Sequence, residues 1–249
     1  KRPFFIEGAS LFNNFGRGGV VINANINWPT PTFFYSRRIG REPQGYATED
    51  GYVRTPDRTS ILGAAKITGK LGGSWNVGWL NAVTGREFAQ IDQLGTRLTQ
   101  LVEPLSYYGA LRVQKDIDKG RSGIGLMATG VMRDLDGGAS GSEVLAGILN
   151  KNAFSVAADG WVGLDQKRGW TISGWAGATR VEGSVEDILR LQNSSMHYYQ
   201  RPDATHVELD PTATSLGGWA GRLNLAKQKG NLLVLANVGA ISPGFDPND

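Results

Sequence analysis

Three arginines lie close together in the segment 35–41, namely Arg37, Arg38 and Arg41. Guanidinium groups bind carboxylates and phosphates through paired hydrogen bonds. Two interpretations stay open: the arginines select anions at a pore, or they form structural ion pairs with nearby carboxylates, which is the favoured interpretation. A strand over 32–39 would turn Arg38 away from the face that carries Arg37 and Arg41. We therefore expect this strand to end near Arg37, or the segment to fold inside a barrel as a plug.

A second candidate site lies at 197–203, where Tyr199 and Arg201 combine aromatic and polar groups that suit a sugar. A packed loop explains these residues equally well. The two histidines, His197 and His206, have no standard metal-ligand spacing, and nearby Ser194 does not make a catalytic triad, because triads are assembled in space. We predict no catalytic residue, no metal site and no cofactor, and so no enzyme.

Apolar side chains alternate with polar or small ones in long stretches of the chain. Over 154–164, Phe154, Val156, Val162 and Leu164 face one way and Asp159 the other. Successive side chains of a strand point to opposite faces of a sheet, so this pattern indicates β-strands. It predicts eight of them, over 61–70, 74–84, 105–115, 123–133, 153–165, 170–181, 216–226 and 231–240.

The predicted strands are long and pair into four hairpins with short internal turns. Three longer connections, 85–104, 134–152 and 182–215, join the hairpins. Strands of roughly 9–11 residues cross a bilayer, and bacterial outer-membrane barrels have short turns on one side and long loops on the other. The pattern favours a transmembrane barrel. A soluble barrel or sandwich with a buried inner face is the alternative.

Alternation assigns the polar positions of these strands to the lumen of the predicted barrel. The binding candidates among them are Arg112, Arg133, Asp159 and Arg222, together with the loop candidates Arg37, Arg38, Arg41, Tyr199 and Arg201. The opposite positions are expected to face lipid, and they include Val156, Val162, Leu164, Ile172, Trp219 and Leu223.

Composition narrows the possible classes. The chain has 249 residues, 35 of them Gly, with no Cys and a net charge of +3. The absence of Cys excludes disulfides and thiolate metal sites, and the balanced charge does not favour a nucleic-acid partner. No apolar run is long enough for a transmembrane helix. The chain starts at Lys1 without an initiator Met or a signal peptide, so we expect a piece of a longer protein.

Several blocks of the sequence resemble one known family, domain of unknown function 5916. The blocks are 1–8, 34–41, 61–70, 80–84, 199–203 and 242–245, and they occur in order along nearly the whole chain. The resemblance implies a Gram-negative bacterium, an outer-membrane β-barrel and an arrangement in which the domain follows a family 9 carbohydrate-binding-like module. It implies no catalytic residue.

The sequence thus predicts an all-β fold: an antiparallel up-and-down transmembrane β-barrel, or a large part of one. Residues 1–59 form an irregular segment, as a plug or a first strand, and residues 60–249 form the hairpins. The expected function is porin- or transporter-like in the bacterial outer membrane, for carbohydrate-derived solutes. A non-transporting surface or assembly module and a soluble carbohydrate-active protein are the alternatives. The expected partners are outer-membrane lipid, small sugars or oligosaccharides, and further barrel strands.

Overall fold

The computed structural model describes residues 3–20, 32–136 and 138–247. Its α-helices are α1 (Pro3–Ile6), α2 (Ala9–Asn13), α3 (Ser142–Ile148) and α4 (Val185–Asn193). Its β-strands are β1 (Tyr52–Arg54), β2 (Ile61–Leu71), β3 (Trp75–Thr84), β4 (Glu87–Gln93), β5 (Thr96–Glu103), β6 (Ser106–Ile117), β7 (Ser122–Arg133), β8 (Asn152–Gly163), β9 (Trp170–Glu182), β10 (Ser215–Lys227) and β11 (Val234–Ile241). No helix in these ranges is long and apolar enough to span a membrane.

Eight strands form one antiparallel sheet in the order β2-β3-β6-β7-β8-β9-β10-β11. They are the eight strands that alternation predicts, each with bounds within three residues of the predicted ones. The prediction of an antiparallel, mostly β structure is therefore confirmed. Strands β2 and β11 are the two edges of the sheet. The described strands thus form an open sheet and do not close into a barrel.

The connections of the sheet are short at one end and long at the other. In the β2–β3 turn, Gly72 and Gly73 have φ angles of 53° and 74°, a left-handed conformation that side chains disfavour and glycine accepts. The long connections carry further structure at the opposite end. The connection 182–215 contains α4, and Ser184 caps this helix by accepting a hydrogen bond from the Asp187 amide at 3.1 Å.

Two local predictions were wrong. The connection 85–104 was predicted without strands, but it holds β4 and β5, which pair with β1 in a separate three-stranded sheet. The strands are short, and their turn uses Leu94 and Gly95 with positive φ angles of 53° and 87°. The predicted strand 32–39 is replaced by a 3-10 turn at Ser36–Arg38. This turn places Phe33 and Ile39, 4% exposed each, in the same core.

The core lies on one face of the eight-stranded sheet, which we call the inner face. Residues 3–20 and 32–47, which we call the N-terminal segment, cover this face with Phe5, Phe12, Phe15 and Phe33. Phe15 and Phe33 meet edge to face, with ring centroids 5.0 Å apart. Each buried aromatic side chain contributes roughly 1.5–3 kcal/mol. Burial of these rings therefore holds the N-terminal segment on the inner face.

Candidate functional site

A buried ion pair lies at the centre of the inner face. Arg112 on β6 donates two hydrogen bonds to Asp159 on β8, from Nη1 to Oδ1 at 2.6 Å and from Nη2 to Oδ2 at 2.9 Å. Both side chains are almost completely buried, with 0% and 1% exposed. Asp159 was expected to line a solvated lumen. Instead, the N-terminal segment covers it.

The pair bridges two strands that are not neighbours, because β7 lies between β6 and β8. Gly125 on β7 pairs with Gln114 on one side and with Asp159 on the other. A Cβ atom at this position would lie 2.5 Å from Asp159 Oδ1 and 2.6 Å from Arg112 Nη1. Glycine is therefore required at position 125 for the two charges to meet across β7.

The same pair also holds the N-terminal segment. The Gly16 amide donates to Asp159 Oδ2 at 2.7 Å, and the Arg112 guanidinium stacks over the Phe15 ring at 5.3 Å. Farther along the segment, the Gly19 carbonyl accepts a hydrogen bond from Gln228 at 2.8 Å. The N-terminal segment is thus attached to the inner face by polar contacts as well as by aromatic packing.

Other polar side chains continue this band across the inner face. Gln114 donates to Asp116 at 2.9 Å, and Thr129 and Ser155 share a hydrogen bond of 2.5 Å between their hydroxyls. Asn224 on β10 reaches the Ser173 hydroxyl at 3.3 Å. The strand candidates for the predicted lumen, Arg112, Arg133, Asp159 and Arg222, share the inner face with these polar side chains.

A second buried polar cluster lies where the inner face meets the long connections. Glu103, 1% exposed, accepts hydrogen bonds from the Gln44 amide at 2.8 Å and from the Gln44 side chain at 3.3 Å. Arg41 donates to Gln44 Oε1. Desolvation raises the pKa of the Glu103 carboxyl. The hydrogen bonds from Gln44 and the positive charges of Arg41 and Arg133 lower this pKa, but by less, so it stays above its ordinary value. Arg133 is itself 5% exposed and donates to the Asn150 carbonyl at 2.7 Å.

The structure brings together some of the predicted binding residues and separates others. Arg38 and Arg41 lie with Arg133 around one small cavity. Arg37 does not line this cavity and lies over the Tyr35 ring at 5.9 Å. Arg222, on β10, is half-buried on the inner face.

The loop candidates Tyr199 and Arg201 are not part of the inner-face band. Arg201 pairs with Asp203 through two bonds of 2.9 and 2.8 Å, and this contact lowers the pKa of Asp203 to about 2. Tyr199 is half-buried, and burial raises the pKa of its hydroxyl. Arg201 therefore uses its guanidinium within the loop, on Asp203.

Comparison with known proteins gives one positive result. A family model described as "Domain of unknown function (DUF5916)" matches residues 1–249. The chain belongs to the DUF5916 family. Searches of curated proteins and of solved structures returned no match.

In this DUF5916 chain, sequence reasoning missed Glu103, which lies in the wrongly predicted connection 85–104, and with it Gln44, whose contact with Glu103 joins residues 59 positions apart. It also missed the role of His197, whose Nδ1 lies 2.7 Å from the Pro243 carbonyl and whose Nε2 lies 3.3 Å from Asp246 Oδ2. His197 attaches the loop to residues 242–247. A buried histidine among exposed loop residues carries no signal in sequence spacing. The described residues contain no group of three acidic or histidine side chains placed to bind a metal ion.

Proposed function

We propose that this chain forms part of a bacterial outer-membrane β-barrel with a porin- or transporter-like role. The observation that supports a membrane location is the composition of the sheet's second face, which we call the outer face. Its large apolar side chains that are at least 36% exposed include Trp79, Leu111, Leu126, Val156, Ile172, Trp219 and Leu223. Soluble monomers rarely expose a continuous apolar surface of this extent, whereas a bilayer covers one.

Charged residues of the outer face occur only near the strand ends in the described sheet. At the short-turn end, Lys115 lies over the Trp75 ring at 5.1 Å and Lys227 over the Trp170 ring at 5.9 Å. At the other end, Arg180 pairs with Glu182 at 2.7 Å. Lysines that extend toward water beside tryptophans are typical of a membrane interface.

The height of the uncharged band agrees with a bilayer. On β9, residues 171–179 separate Trp170 from Arg180. At about 3.3 Å per residue they span about 30 Å, and a strand tilt of about 40° reduces this to a height of about 23 Å. The apolar band of outer-membrane barrels is about 25 Å high. We infer that residues near the middle of this band contact lipid.

An insertion experiment tests the membrane proposal by depth. Ala158 pairs with Ala176 near the middle of this band, and Val162 pairs with Ile172 nearer its short-turn edge. For protein folded into phosphatidylcholine vesicles, we expect Ala158→Arg to reduce the free energy of unfolding by about 2–4 kcal/mol and Val162→Arg by about 0–1 kcal/mol. Tyr52→Arg, on the separate sheet, is the control and should have little effect. Equal effects of the Ala158 and Val162 replacements, or a protein that never enters vesicles, would rule out the membrane proposal.

The transport part of the proposal rests on the polar inner face, and the solute class on the carbohydrate-binding-like module that the resemblance implies. We expect vesicles that hold the protein to swell in a small sugar such as a disaccharide faster than empty vesicles do. Vesicles that contain the inserted protein but do not swell would contradict transport while leaving the membrane location intact.

One observation favours the second candidate, a surface or assembly module that does not transport. The N-terminal segment covers the inner face, and the three-stranded sheet, α3 and α4 enlarge one end of the molecule. A solute that follows the inner face would have to displace Phe15 and Phe33. The swelling measurement separates these two candidates. Folding without detergent or lipid would favour the third, a soluble carbohydrate-active protein.

A further inference from the structure

A small cavity lies between the N-terminal segment and strands β6 and β7. It has a volume of about 30 Å³, and its lining includes Arg38, Arg41, Arg133 and Tyr108. A volume of this size holds one or two water molecules or an ion of similar radius. The cavity therefore excludes a whole sugar but can contain a single small group.

Two of these arginines keep an unused hydrogen-bond donor. The Nε atoms of Arg41 and Arg133 are buried and have no acceptor among the described residues. The other contacts of these side chains point elsewhere, from Arg41 Nη2 to Gln44 and from Arg133 Nη1 to the Asn150 carbonyl. A buried donor without an acceptor lowers the stability of the folded protein, and the loss is larger when the donor belongs to a charged group.

Two arginines of the cluster, Arg41 and Arg133, share one carboxylate. The Glu103 carboxylate interacts electrostatically with both arginines. Its oxygens accept hydrogen bonds from Gln44 and from neither arginine in the described contacts. Asp187, which also faces Arg133, forms its own ion pair with Arg190 at 2.7 Å. One carboxylate thus faces Arg41 and Arg133 together. Buried charges are normally balanced by a counterion.

We propose that this cavity binds one small monovalent anion, either a halide such as chloride or a small carboxylate such as acetate. The anion accepts hydrogen bonds from Arg41 and Arg133. Because Arg41 belongs to the N-terminal segment and Arg133 ends β7, the bound anion links the segment to the sheet. This site is independent of the transport proposal, since it requires neither a membrane nor a solute path.

The experiment compares salts at constant ionic strength. The purified chain is titrated with sodium chloride, sodium acetate or sodium gluconate while its thermal unfolding midpoint is recorded. We expect a saturable rise with chloride, with acetate or with both, and none with gluconate, which is too large to enter. Saturation by chloride alone identifies a halide site, and saturation by acetate identifies a carboxylate site. Equal responses to all three salts would overturn the proposal.

Two variants locate the site. Arg41→Gln should weaken the saturable response at least tenfold, because it removes the charge and the Nε donor. Arg37→Gln, four residues away in the same segment and outside the cavity lining, should leave the response unchanged. If both variants respond as the unsubstituted protein does, the anion does not bind here and the proposal fails.

A measurement on the unsubstituted protein covers the case in which Arg41→Gln does not fold. Crystals grown with sodium bromide should show an anomalous-scattering peak within hydrogen-bond distance of Arg133. A bromide peak that is absent from this cavity, in a protein whose stability also does not respond to acetate, would equally refute the proposal.

Discussion

Replacing Asp159 with Asn removes one charge of the buried pair and leaves the other in place. Arg112 would then keep its positive charge at 0% exposure with no carboxylate to balance it. The removal of one partner from a buried ion pair costs about 3–5 kcal/mol. The Gly16 amide would also lose its charged acceptor. We therefore expect Asp159→Asn to lower the free energy of unfolding by about 3–5 kcal/mol.

The assay is urea unfolding of the protein in detergent micelles or vesicles, followed by tryptophan fluorescence. A double-mutant cycle with Arg112→Met isolates the pair, since the double variant Arg112→Met/Asp159→Asn leaves no uncompensated charge. The double variant should be more stable than Asp159→Asn alone. Asp203→Asn, which breaks an exposed pair, is the matched control and should change the midpoint little.

The same variant should loosen the N-terminal segment. Gly16 precedes Arg17, an exposed trypsin site, and the hydrogen bond to Asp159 restrains this part of the chain. We expect faster cleavage after Arg17 in Asp159→Asn than in the control. A loss below about 1 kcal/mol, additive effects in the cycle, or unchanged cleavage would refute the assignment of Asp159 as the attachment point of the segment.

Three further predictions concern other parts of the molecule. Gly125→Ala should lower the free energy of unfolding measured in urea, because the new Cβ would clash with the Arg112–Asp159 pair. Gly69→Ala is the control and should leave it unchanged, since no atom lies within 4 Å of its Cβ. Glu103 has a raised pKa in the folded state, so its contribution to stability falls as pH rises from its unfolded value of 4.5 through the folded value. Glu103→Gln should therefore flatten the fall in unfolding free energy over that pH range, and an unchanged profile would contradict the cause given. If the sheet spans a membrane, an impermeant thiol reagent on intact cells should label Ser140→Cys, in a long connection, and not Lys229→Cys, in a short turn; equal labelling would count against that topology.

Periodicity alone was sufficient to predict the eight long strands and the assignment of residues to the two faces. Each strand has one exposed apolar face and one face that is polar or covered. A shift of the strand by one residue would move every side chain to the opposite face, so the sequence pattern specifies which face each residue occupies. Val156 and Trp219 are exposed, and Arg112 is buried on the opposite face, as alternation requires. The faces of the sheet were therefore predictable without any knowledge of partners.

The contacts between distant parts of the chain were not predictable from one sequence. Alternation placed Arg112 and Asp159 on the same face, but their pairing depends on the register of three strands and on the missing side chain at Gly125. In the N-terminal segment the strand predicted over 32–39 was wrong, because a 3-10 turn at Ser36–Arg38 lies there and Phe33 and Ile39 reach the core on either side of it. The Glu103 cluster depends on that segment and was missed with it.

The ion pair that crosses β7 also has a consequence for assembly. A slip of β8 by one residue against β7 would leave most backbone hydrogen bonds possible, yet it would carry Asp159 from the inner face to the apolar outer one. Arg112 would lose its partner in the same step. The slipped arrangement is therefore penalised twice, by an isolated cation on one face and an isolated anion on the other. Arg112, Asp159 and Gly125 therefore favour the correct register of β6, β7 and β8 over registers shifted by one residue while the sheet forms.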